Sequence, residues 1–349
     1  MDIVTTGIKR KREKYAVEIK SSLLWECALG IAAMTNEALV DTLDLSKQNR
    51  DLIMKSLSKD MKEELEYVRK FNTWKTLLQI LHQKDLEEIA SFEKYVQSLS
   101  STELKSIAIP YLGKAQEEVK NALLKESEEA LRQLQYITRE HSFLPDYLEY
   151  ISQVSTEELK THLLTVMSGW FDCVIYPQKE KLEEILSRDK ALKEKMLHRL
   201  EPDQFVEWAT DGVKYPPEPS VHKVLLVPHY IYRPWNVEAD LEGVKVFYYA
   251  VANESISGES RFVPNKLLVQ RFKALGDETR LKILKMIKEK NLSLQELTIE
   301  LELGKTTVHH HLKILKSARL VSQSSSEYTI DHQAIEHLPA ELKLYLEDQ

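Results

Sequence analysis

The stretch Leu303-Gly304-Lys305-Thr306-Thr307-Val308-His309-His310-His311-Leu312-Lys313-Ile314-Leu315 constrains the fold of this chain more than any other. A glycine turn leads into a helix whose apolar residues, Val308, Leu312 and Leu315, recur at three- and four-residue spacing. The opposite side carries only hydrogen-bonding and cationic groups: Lys305, Thr306, His309, His310 and Lys313. A helix that buries one edge and presents donors and acceptors on the other suits the major groove of DNA. Three consecutive histidines invite a metal reading, but successive helical residues diverge by about 100°, so they cannot converge on one ion. His309 and His310 therefore face outward, and His311 points elsewhere, to pack inside or bond backbone.

The surroundings agree with that reading. A helix is expected over about 265–274, a second from the Asp277 cap to about Lys290, and a third over 294–301 opened by Ser293. Beyond the histidine helix, 320–323 and 327–330 read as two short strands joined by a serine turn, which completes a winged helix-turn-helix layout. The net charge of the 349-residue chain, −7, is wrong for a nucleic-acid binder taken as a whole. It is segregated, however: residues 263–326 hold twelve Lys and Arg against six Asp and Glu. A basic segment on an acidic body is the distribution expected of a DNA-binding domain attached to a larger sensor.

That body, from Ser21 to about Asp211, is helical in pattern. Apolar stripes run through Leu23, Leu24, Cys27, Ile31 and Met34, then Leu65, Val68, Phe71, Leu77, Leu78 and Leu81, then Val119, Leu123, Leu131, Leu134 and Ile137. Capping boxes are expected at Ser100–Glu103 and Ser155–Glu158. A proline cluster at 214–219 marks a loop, followed by two runs dense in β-branched and aromatic residues, 222–232 and 244–252, which form a small sheet. Alternation over 14–20 adds another strand. The aromatics Tyr230, Tyr232, Trp235, Phe247, Tyr248 and Tyr249 fit either a sheet core or the lining of a ligand pocket. The turn-rich segment 253–260 is the expected boundary. Lys9-Arg10-Lys11-Arg12 reads as a solvated hairpin tip, with a DNA-binding arm as the alternative. Cys27 and Cys173, each among apolar neighbours, are expected to be buried free thiols.

Two segments carry a family resemblance. Phe272-Lys273-Ala274-Leu275-Gly276-Asp277-Glu278-Thr279-Arg280-Leu281-Lys282-Ile283-Leu284 resembles the opening of ArsR-type winged-helix regulators. Thr307–Leu315 followed by Ala318-Arg319-Leu320-Val321 resembles their recognition helix and the start of their wing. The resemblance covers roughly the last quarter of the chain. It implies a dimeric bacterial-type transcription regulator, often a repressor released by a ligand, and it transfers DNA contact to Lys305, Thr306, Thr307, His309, His310 and Lys313. Thr307 has helix capping as an alternative role. Ser324 and Ser325, in a wing turn that lacks Lys and Arg, are left to bond phosphate. The Cys-x-Cys pair of the family's thiol metal sensors is replaced by Gln295-Glu296-Leu297-Thr298. The carboxylate and histidine ligands of other members are not reproduced by Asp331, His332 and His337. Pro339 interrupts the terminal helix.

The expectation is a mainly α protein. Residues 1–260 form a helical sensor and dimerisation body with a β-rich segment near 221–252, and 261–349 form a winged helix-turn-helix. Its partners are double-stranded DNA, a second copy of the chain and an unknown small-molecule effector, with no cofactor, no metal and no membrane, in the cytoplasm. No phosphate-cradling glycine motif, nucleophile elbow or zinc-protease spacing supports catalysis. The alternative is a scaffold that uses the winged helix to dock proteins.

Overall fold

A computed structural model describes residues 14–37, 39–257, 264, 266–324 and 326–347. The basic run at 9–12 therefore lies outside the described residues. The chain divides into two compact units, one of residues 1–194 and 213–251, the other of 195–212 and 252–349. The architecture is mainly α with small sheets, as the apolar periodicity predicts.

The first unit packs helices against a four-stranded sheet. Strands β1 (Ala16–Ile19), β2 (Lys223–His229), β3 (Val237–Leu241) and β4 (Val244–Ala250) lie in the order β1-β2-β4-β3. β1, β2 and β4 are parallel, and β3 joins β4 antiparallel through a hairpin whose two-residue turn places Gly243 at φ +71°. The β-rich runs predict β2 and β4, and the alternation at 14–20 predicts β1. β3 is an addition. Its outward residues Glu238 and Asp240 both pair with Lys245 of β4, while Ala239 turns inward. Phe247, Tyr248 and Tyr249 are fully buried on β4, so these aromatics belong to the core, whereas Trp235 is exposed.

Helix Leu23–Thr35, capped by Ser22, is apolar nearly all round and almost wholly buried. Its one charged residue, Glu26, receives the backbone N–H groups of Tyr230 and Ile231 at 2.8 and 2.7 Å, which fixes the chain leaving β2. A second buried polar tie joins three helices, Lys59–Phe71, Trp74–Leu81 and Thr156–Trp170. Thr73 Oγ1 lies 2.7 Å from His162 Nε2, and Glu64 takes the other ring nitrogen.

The Ser100–Glu103 capping box forms in both directions. At Ser155 only the serine half forms, because the Glu158 carboxylate accepts the Tyr67 hydroxyl instead. Cys27 is buried, but Cys173 is exposed, contrary to expectation. It sits in a π-helical turn, Phe171–Ile175, in which Phe171, Val174 and Ile175 take the inner face and leave Cys173 outside. Among the described residues no helix is long and apolar enough to cross a membrane.

The second unit contains helix Pro202–Ala209 and the end of the long helix Lys179–Leu197, together with the C-terminal elements. Residues 253–257, read as turn, form a short helix, Asn253–Ser257. Helices Lys266–Leu275, Glu278–Glu289, Leu294–Leu301 and Lys305–Ser317 follow. β5 (Leu292–Ser293), β6 (Val321–Ser324) and β7 (Glu327–Ile330) form an antiparallel sheet in the order β5-β7-β6. The core includes Ala274, Ile283, Leu284, Ile287, Leu297, Val308, Leu312, Leu315, Leu320 and Tyr328. The apolar spacing predicts Leu281 inside with Leu284 as well, but Leu281 is half exposed. The terminal helix breaks at His337 and restarts as Leu338–Glu347 with Pro339 in its first turn, where a missing N–H costs nothing.

Candidate nucleic-acid interface

The interface is built by three local devices. Asp277 caps Glu278–Glu289 by accepting the Arg280 amide at 2.9 Å, a bond that holds its carboxyl below the usual range. Ser293 and Glu296 form a reciprocal capping box at the start of Leu294–Leu301. That helix then stops because Glu302 adopts a left-handed conformation, φ +54° and ψ +34°, with its N–H donated to Ile299 O. Gly304 follows as the N-cap of Lys305–Ser317. The glycine of the turn is thus the cap, and the left-handed position falls to a glutamate.

Along Lys305–Ser317 the burial follows the sequence pattern closely. Val308, Leu312 and Leu315 are buried, with none more than 1 % exposed. Lys305, Thr306, Thr307, His309, His310 and Lys313 are all exposed. At about 100° per residue, Lys305, His309, Lys313, Thr306 and His310 fall on one arc of roughly 140°. Lys316 and Ser317, also exposed, extend that arc by one turn. Lys316 was legible as the residue three beyond Lys313, and its Nζ lies 3.4 Å from Gln323 Oε1 on β6. Thr307 sits off the arc, and only its backbone takes part in the turn, donating to Gly304 O at 2.9 Å.

His311 points away from the arc, its side chain only 15 % exposed and its Nδ1 3.7 Å from Asp277. The three histidines therefore separate into two that face solvent and one turned toward a neighbouring helix start. Ser324 ends β6. Ser325 lies outside the described residues, so the wing contact assigned to it does too.

Two further groups shape the ends of this surface. Arg280 Nε and Nη2 donate to the carbonyls of Ala274 and Lys273, closing the C-terminus of Lys266–Leu275. Arg271 and Glu341 form a buried ion pair at 2.6 Å that joins Lys266–Leu275 to Leu338–Glu347. Phe272 and Leu346, on the same two helices, remain exposed.

Comparison with known proteins bears on this region alone. Residues 277–323 match the family described as bacterial regulatory protein, arsR family, and the N-terminal part of the chain matches no family. No curated protein and no solved structure matches the chain. The matched segment runs from the Asp277 cap to β6 and so contains the helix-turn-helix of a family of DNA-binding transcription regulators.

Proposed function

We propose that this protein is a sequence-specific transcription regulator that reads DNA with the exposed arc of helix Lys305–Ser317. The single observation that carries the reading is the division of that helix, with Val308, Leu312 and Leu315 buried and Lys305, Thr306, His309, His310 and Lys313 exposed. Lys305, Lys313 and Lys316 are suited to phosphates or guanine edges, and His309 and His310 to base edges. The uncharged wing turn leaves most of the electrostatic attraction to the helix itself.

The regulator acts as a homodimer and, in this reading, as a repressor. The exposed Phe272 and Leu346 supply apolar surface for a second copy. Recognition helices of the two copies enter successive major grooves of a near-palindromic site. The acidic helical body is the sensor. It holds a cavity of about 150 Å³ lined by Ser101, Thr102, Lys105, Glu126 and Ser152 among others. That is below the roughly 300–1,000 Å³ of ordinary ligand pockets, so an effector held there is small.

A gel-shift selection from genomic fragments, the chain's own upstream region included, tests the reading across a salt series. Retention of a discrete set of duplexes, weakening steeply with salt, is the expected result. Failure to bind any duplex at low salt would overturn it and favour the docking scaffold.

A further inference from the structure

We infer that Asp211, at the end of the upstream stretch 195–212, is a positioning residue for the DNA-reading helix and acts on it through Arg319. Arg319 is the first residue beyond Ala318, the C-cap of Lys305–Ser317, and it sits where the helix turns into β6. Its φ is +56°, a left-handed conformation that backbone sterics leave mainly to glycine and asparagine. Locally that geometry closes the helix, with two of its last carbonyls accepting the N–H groups of Arg319 and Leu320.

What the Arg319 side chain reaches is Asp211. Arg319 Nη2 donates to Asp211 Oδ2 at 3.0 Å, and Nη1 stands 2.9 Å from Oδ1 without hydrogen-bond geometry, across 108 residues of sequence. The other end is a second helix C-terminus, that of Pro202–Ala209. Asp211 has φ +59° and Gly212 φ +115°, and a Cβ on Gly212 would run into the Arg319 guanidinium. Each left-handed residue closes its own helix, Asp211 after Pro202–Ala209 and Arg319 after Lys305–Ser317, and the ion pair joins these two helix ends.

Stability does not account for that. Asp211 and Arg319 are 70 % and 40 % exposed, and pairs so open to water contribute little. The remaining effect is geometric. The Arg319 N–H donates to Lys316 O and that of Leu320 to Leu315 O, so the clasp fixes the residue through which the last turn of the helix is tied to the wing. The stretch that holds the clasp is continuous in the chain with residues 194 and 213 of the first unit. A change in that stretch is therefore felt at the end of the reading helix.

The inference rests on the DNA-binding reading, and the test separates the two. Full-length Asp211→Asn, Arg319→Gly and the double variant are compared on a duplex selected by the unaltered protein and on a scrambled duplex. Each single variant should lose about 2- to 5-fold in preference for the selected duplex, the most that so exposed a pair can transmit, and the double variant should lose no more. The exchanged pair Asp211→Arg with Arg319→Asp should recover at least half of the loss. Arg319→Gly should melt no lower than the unaltered protein, because glycine relieves the backbone.

A merely structural pair would shift melting and leave the preference alone. Undiminished preference in Arg319→Gly, or additive losses, would overturn the inference. Hydrogen exchange without DNA supplies the independent arm: amides 318–322 should exchange faster in Asp211→Asn, and unchanged exchange also overturns the clasp. If the unaltered protein selects no duplex, the DNA reading falls, and the exchange result alone decides whether Asp211 holds the helix end.

Discussion

The indole of Trp170 lies directly against the backbone of Gly30, so close that a Cβ on the glycine would stand 2.8 Å from Nε1. Both residues belong to the helical body, and Trp170 is fully buried. Helix Leu23–Thr35 needs a residue without a side chain there for the two helices to approach.

Alanine in a helix interior is ordinarily better than glycine by up to about 1 kcal/mol. At Gly30 the clash outweighs that gain, because a fully buried Trp170 has no free space into which to move. Gly30→Ala should destabilise the body by about 1–3 kcal/mol. Thermal denaturation followed by circular dichroism reads the effect, and an unchanged or raised midpoint would show that the helices can separate at little cost.

Glu302 provides the opposite case. Its left-handed backbone costs a non-glycine residue about 1–2 kcal/mol. Glu302→Gly should therefore stabilise the C-terminal unit by about 1 kcal/mol, after allowance for the greater freedom of glycine in the unfolded chain. Glu302→Gln changes the charge without relieving the backbone and should give no gain. Equal denaturant midpoints for the two variants would rule the argument out.

Burial raises the Glu26 carboxyl from 4.5 to about 7, against the two amides that pull it down. Between those values the folded protein keeps a proton that the unfolded chain has released. Its contribution to stability is therefore full below pH 4.5 and is lost as pH rises through 7. His82 and His229 slope the other way: burial lowers both to about 3, so stability rises with pH up to about 6.5. Glu26→Gln removes only the first effect. The stability difference between the unaltered protein and this variant should fall by about 3 kcal/mol from pH 4.5 to 7.5. A difference independent of pH would contradict the assignment.

On the reading helix, His310→Ala and Lys313→Ala should weaken DNA binding in distinguishable ways. Loss of a base contact at His310 should cost about 1–3 kcal/mol and relax discrimination at one position. Loss of a phosphate contact at Lys313 should weaken all duplexes alike and reduce the logarithmic salt slope by about 1. Both variants should keep the unaltered melting temperature. Undiminished binding by the double variant would refute the helix assignment.

Much of this was legible because the C-terminal elements are short and locally determined. Asp277, Ser293 and the spacing of Val308, Leu312 and Leu315 each specify their structure within a few residues. β3 was not read because Val237-Glu238-Ala239-Asp240-Leu241 has one β-branched residue, although its alternation and the Glu242-Gly243 turn were visible. The outward position of Cys173 depends on a π turn, which apolar neighbours do not announce. The place of 195–212 in the second unit depends on contacts such as Asp211 with Arg319, which no local pattern encodes.

The second unit is assembled from two stretches of chain, with 213–251 between them belonging to the first. A fragment begun downstream of residue 251 would carry helix Lys305–Ser317 without Asp211, the carboxylate that its Arg319 meets. A truncation meant to isolate this unit has to keep residues 195–212 attached by some other route, or it tests a helix whose end has lost its carboxylate.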